Sequence, residues 1–79
     1  MKDTTEVRTL AGWRKLRLLT LRALAAKAGV QIQTVHKTER GRNIPTARTV
    51  RAISGALGVE PAQVVEFRPV LGLVEEVRS

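Results

Sequence analysis

The sequence predicts an all-α domain of five helices, and three observations predict it. No run of β-branched residues alternates with period two before residue 64. Apolar residues instead recur three and four apart, as do Val50, Ile53 and Leu57 with the small Ser54 beside them. Starts and stops also stand where helices need them: Thr20 and Thr46 as N-caps, Gly29, Gly41 and Gly58 as terminators.

The elements follow in order. Asp3 and Glu6 have the spacing of a capping box, and Val7, Leu10, Trp13 and then Leu16 or Arg17 recur near helical spacing, which predicts a first helix over 5–18. Leu24, Ala25 and Ala28 line one face of a second helix over 21–28, closed by Gly29. Gln31 can cap a third helix reaching about Arg40, with Val35 as its inward anchor and Gly41 as its end. Pro45 pushes Ile44 out of helical geometry, so "RNIP" is an extended loop. A fourth helix runs from the Thr46 cap to Gly58, and Pro61 opens a short fifth one through Phe67. Residues 1–68 thus form the domain and 69–79 a short C-terminal tail. Phe67 and the tail's Val70, Leu71, Leu73, Val74 and Val77 exceed what five helices need, and exposed apolar side chains are costly in water. They are expected to join a two-fold dimer contact, the alternative being that they fold back on helices one and five.

Charge says more when it is located along the chain. Between Arg8 and Arg51 stand eleven Lys and Arg against a single acid, Glu39, a local net of +10 within a total of +7. A one-sign block on a folded unit raises the expectation of a polyanionic partner. An anionic membrane surface would call for a bulky exposed apolar face with aromatics at its rim, and the chain has one Trp, one Phe and no Tyr. No apolar run approaches a membrane span, and the opening "MKDTTEV" lacks the core of a secretion signal, so a cytoplasmic, reducing location is expected. With no Cys and a single His, neither a metal centre nor a cofactor is expected, and nothing suggests a nucleophile or a phosphate-cradling loop. The scarcity of stacking aromatics argues against single-stranded nucleic acid.

The most informative stretch is "GVQIQTVHKTERGR", residues 29–42. On a helix, Ile32, Gln33, His36, Lys37 and Arg40 share one face. That face is too polar for a core and too poor in carboxylates for an ordinary wet surface. Ahead of it, small Ala25 allows close approach of two helices, Gly29 permits a tight turn, and Val35 pins the third helix onto the second. Two helices joined by such a turn describe a helix-turn-helix, whose second helix enters the DNA major groove.

Here the chain resembles the phage-repressor-like (Cro/repressor-type, XRE-type) helix-turn-helix family. The resemblance runs from about Leu10 to Phe67, through "LTLRALAAKAGV", "TERGRNIPT" and "AISGALGV". It implies a transcriptional regulator, a repressor, binding double-stranded DNA as a homodimer on a symmetric operator. It implies that Gln31, Ile32, Gln33 and Lys37 face base edges, and that Arg22, Thr34, His36, Arg40, Arg42 and Asn43 lie along the phosphate backbone. It further implies a structural ion pair between Arg14 and Glu39. Departures exist: Leu21 stands where the family has a backbone-contacting glutamine, so that contact is either lost or passed to Arg22, and Thr38 replaces an apolar core residue. Ile32 cannot hydrogen-bond a base, although it can touch a thymine methyl. Simpler roles stand beside these: a solvated surface for His36, the wet face of helix four for Arg48 and Arg51, and ordinary core for Leu10 and Trp13. Leu16, Leu18 and Leu21 look exposed and are either scattered surface apolars or a patch for a protein partner, which an antitoxin-like interaction module of the same fold would have.

Overall fold

Three threonines start three helices in the same way. The structure, a computed structural model, describes residues 6–71. In it the hydroxyls of Thr9, Thr20 and Thr46 accept hydrogen bonds from the backbone N–H groups of Gly12, Ala23 and Thr49 at 3.0, 3.0 and 3.2 Å. Each satisfies one of the donors a helix start leaves unpaired. The helices that follow are α1 (Leu10–Leu16), α2 (Leu21–Ala28) and α4 (Ala47–Leu57), while α3 (Ile32–Glu39) starts after Gln31 without a side-chain cap. Among the described residues there is no strand, only an isolated parallel bridge between Arg8 and Val64. The fold is all-α.

Helix α2 packs on both α3 and α4, and α1 reaches across to α3. Leu10 and Trp13 from α1, Leu24 and Ala25 from α2, Val35 from α3, and Val50, Ile53 and Leu57 from α4 meet in one core. Val64, Phe67 and Val70 close it from the C-terminal side.

The Arg8–Val64 bridge corrects two sequence-based expectations at once. Arg8 N–H donates to the Gln63 carbonyl and Val65 N–H to the Arg8 carbonyl, both at 3.0 Å. Residue 8 is therefore committed to backbone pairing with a distant segment of the same chain and cannot lie inside a helix, so α1 begins at Leu10 instead of residue 5. Asp3, the expected cap, lies outside the described residues. Val64 is extended by the same pairing, at φ −110° and ψ 120°. The fifth element starts at Pro61 as expected but divides into two 3-10 turns, Pro61–Gln63 and Val65–Phe67.

The end of α1 is a third correction. Leu19 N–H reaches back to the Arg14 carbonyl and Leu18 N–H to that of Lys15, each at 3.0 Å, which is a Schellman closure. It requires a left-handed residue, and Leu18 fills that position at φ 60°. A side chain with a Cβ costs about 1–2 kcal/mol there, and no glycine marks the stop in the sequence. Helix α1 thus ends at Leu16 rather than at residue 18.

Residues 68–71 are helical, and Val70 is only 6% exposed, so packing runs past the expected boundary at residue 68. Phe67 and Val70 therefore fold back into this chain's own core and are not held for a dimer contact. Leu73, Val74 and Val77 lie outside the described residues. At the opposite end, Glu66 Oε1 accepts the Leu10 N–H at 2.7 Å, placing a carboxylate at the start of α1 from 56 residues away.

Candidate nucleic-acid interface

Gly29 and Gly41 frame the candidate interface. Gly29 adopts φ 75°, and Val30 N–H donates to the Ala25 carbonyl at 3.0 Å, so α2 stops sharply and α3 follows after a short turn. Gly41 adopts φ 69°, with Arg42 N–H on the Lys37 carbonyl at 3.0 Å and Gly41 N–H on that of Thr38 at 3.1 Å. This Schellman closure fixes the backbone of Arg42 directly beyond the end of α3.

Between these stops α3 has two unlike faces. Val35 is fully buried and Thr38 is 1% exposed, so these two hold the helix to the domain. Gln31, Ile32, Gln33, His36, Lys37 and Arg40 are exposed on the other side. His36, Lys37, Arg40 and Arg42 line one open groove. None of these four side chains pairs with a carboxylate among the described residues. Gln31 occupies the N-cap without spending its side-chain amide there, which leaves that amide for an external partner. Thr34 is half-buried at the edge of this face.

Thr38 shows how a hydroxyl fits where an apolar residue was expected. Its Oγ1 donates to the Thr34 carbonyl one turn back at 2.8 Å and faces Asn43 Oδ1 at 3.4 Å. The polar atom is thereby satisfied inside α3, and the loop that carries Arg42 and Asn43 lies beside it. Sequence reasoning located Thr38 but not this neighbour, because the loop's position is set by how the chain returns.

Arg14 and Glu39 are brought together. Arg14 Nε and Nη2 donate to the two Glu39 carboxylate oxygens at 2.5 and 3.3 Å, and Nη1 donates to the Leu19 carbonyl at 2.9 Å. Their side chains are 14% and 9% exposed. The one acid of the basic block is thus turned inward and neutralised, so it does not oppose the field on the outer face of α3.

The remaining basic residues divide by duty. Arg17 Nε donates to the Leu57 carbonyl at 2.9 Å, and the Arg8 and Arg17 guanidinium groups lie over the Trp13 ring at 5.6 and 5.2 Å from its centroid. Arg8 also pairs with Glu6. These roles were not legible in the charge count, which treats all eleven cations alike. Arg22 is exposed in the first turn of α2, and Arg48 and Arg51 are exposed on α4. Leu21 is a correction: it is half-buried and packed against the core, whereas Leu16 and Leu18 are exposed.

Among the described residues no helix is long and apolar enough to cross a membrane. Comparison with curated proteins and with solved structures returned no match. A helix-turn-helix family model does match, over residues 10–64, a span that begins with α1 and ends at the Arg8–Val64 bridge. Two helices locked by a glycine turn, the second with a carboxylate-free polar face, therefore make this chain a member of the phage-repressor-like, XRE-type helix-turn-helix family, a DNA-binding transcription regulator of that type.

Proposed function

We propose that the protein is a cytoplasmic transcriptional repressor that binds a two-fold symmetric duplex site as a homodimer. The observation that carries this reading is the outer face of α3: polar and basic side chains, no carboxylate, and a rigid attachment through Val35, Thr38 and Glu39. Gln31, Ile32, Gln33 and Lys37 are assigned to base edges. Arg22, Thr34, His36, Arg40, Arg42 and Asn43 are assigned to the phosphate backbone. Cations that displace counterions supply affinity, and the helix in the major groove supplies selectivity. Occupancy of a promoter then blocks transcription without any reaction.

The two roles separate experimentally. Gln33 can bridge the adenine edge, so Gln33→Ala is expected to weaken the preferred site by about 1–3 kcal/mol while leaving non-specific duplex nearly unchanged. Arg42→Ala is expected to weaken both alike and to make the salt slope shallower by about one unit. Titration of selected and scrambled duplexes over a range of salt measures both. Equal loss on every sequence for Gln33→Ala would remove α3 from the role of reader.

Pairing of two copies is assigned in part to residues 72–79, whose Leu73, Val74 and Val77 are apolar. A chain ending at Leu71 keeps Val70 in the core and is expected to lose dimer mass in sedimentation or light scattering. Undiminished dimer would take the tail out of the contact. A second reading keeps the fold and makes the chain an antitoxin-like interaction module. Leu18 favours it, being 92% exposed and held in a costly left-handed conformation. Its signature is a second protein that co-purifies with this one.

A further inference from the structure

Ile32 is the one member of the α3 outer face that hydrogen bonding cannot employ. It is the first residue of α3 and 39% exposed. It stays outside the core cluster, which half-buried Leu21, Ala28 and Val30 of the same helix pair do join. The inward side of α3 is already supplied by Val35 and Thr38, so packing gives Ile32 no task. Its neighbour Gln33 and the residue one turn on, His36, are exposed beside it, which sets a branched hydrocarbon among polar side chains.

A hydrocarbon has no donor or acceptor, so it can tell base pairs apart only by an apolar group. The major groove offers one, the C5-methyl of thymine. 5-Methylcytosine carries the same methyl on the same ring carbon. We infer that Ile32 is a specificity-determining residue that reads a pyrimidine C5-methyl, of thymine or of 5-methylcytosine, beside the base pair met by Gln33. This rests on α3 being the reading helix. The consequence is a site whose occupancy depends on cytosine methylation wherever cytosine takes the thymine's place. Burying one methyl is worth about fourfold in affinity (~0.8 kcal/mol), or about fifteenfold when both halves of a symmetric site lose it.

The test uses the full chain and the duplex it prefers from a random pool. Each thymine is replaced in turn by uracil, which removes only the methyl. The wild type is expected to lose about fourfold at one position per half-site. At that position, cytosine is expected to bind more weakly than 5-methylcytosine by a similar factor. Ile32→Ala, on a partly exposed side chain, is expected to fold normally by circular dichroism and to be indifferent to both exchanges, whereas Ile32→Val keeps them. A flat uracil scan, or a methyl effect that persists in Ile32→Ala, overturns the proposal. Gln33→Ala, run in parallel, keeps the two failures apart. If its loss is selective for the preferred site while the uracil scan is flat, only methyl reading falls. If its loss is equal on all sequences, the parent assignment of α3 falls with it.

Discussion

Replacing Glu39 with alanine is expected to cost about 3–5 kcal/mol, because it strands the Arg14 guanidinium with only the Leu19 carbonyl as partner. The size follows from burial. At 14% exposure the Arg14 side chain cannot recover its lost hydrogen bonds from water, and a charge left without its partner is penalised far more than a neutral group. For a domain this small the loss is a large fraction of total stability, and the melting temperature should fall on the order of 15–30 °C. Arg14→Lys retains the charge but has no fork to span both carboxylate oxygens, so an intermediate fall is expected. Thermal denaturation followed by circular dichroism measures both variants. An unchanged melting temperature in Glu39→Ala would show that the pair contributes nothing to holding α3 in place.

Trp13→Ala is expected to be as damaging, at about 3–5 kcal/mol, through the cavity it leaves between α1 and the C-terminal turns. Trp13 is 3% exposed, and its indole N–H donates to the Gln63 carbonyl at 2.7 Å. That carbonyl also receives the Arg8 N–H, and the Gln63 side chain binds the Glu6 carbonyl at 3.2 Å and the Glu60 N–H at 2.9 Å. Trp13→Phe keeps most of the volume and leaves the Gln63 carbonyl still paired to Arg8, so a loss of about 1 kcal/mol is expected. Comparing the two by urea denaturation separates packing from the hydrogen bond. Equal losses would mean that the indole N–H, and not the ring volume, holds this corner together. Trp13 is the only tryptophan, so the transitions are followed by circular dichroism rather than fluorescence.

The helices of the central unit were legible because their signals are local. Thr20, Gly29, Thr46 and Gly58 mark their ends by chemistry that acts within one turn, and α2 and α4 fall where those residues put them. The first helix and the last were misjudged because their limits are set by a contact between residues 8 and 64, which no short window contains. Leu18 hid the end of α1 for a different reason: a left-handed leucine gives no compositional sign of the conformation it adopts. At the interface, periodicity was enough to gather Ile32, Gln33, His36, Lys37 and Arg40 on one face. Periodicity could not divide the cations into those that serve the fold and those that face outward. The difference lies in distant acceptors, such as the Leu57 carbonyl beneath Arg17.

The two faces of α3 carry separate kinds of information. Val35, Thr38 and Glu39 answer to the interior, whereas Ile32, Gln33, His36 and Lys37 make no contribution to the core. Residues that share no partners have nearly independent effects on stability. An outward substitution therefore leaves the scaffold intact, and a scaffold substitution leaves the recognition chemistry unedited. A lineage with this architecture can exchange one target sequence for another through single steps, each passing through a folded protein. The domain is thus open to divergence in what it recognises while remaining conservative in how it is built.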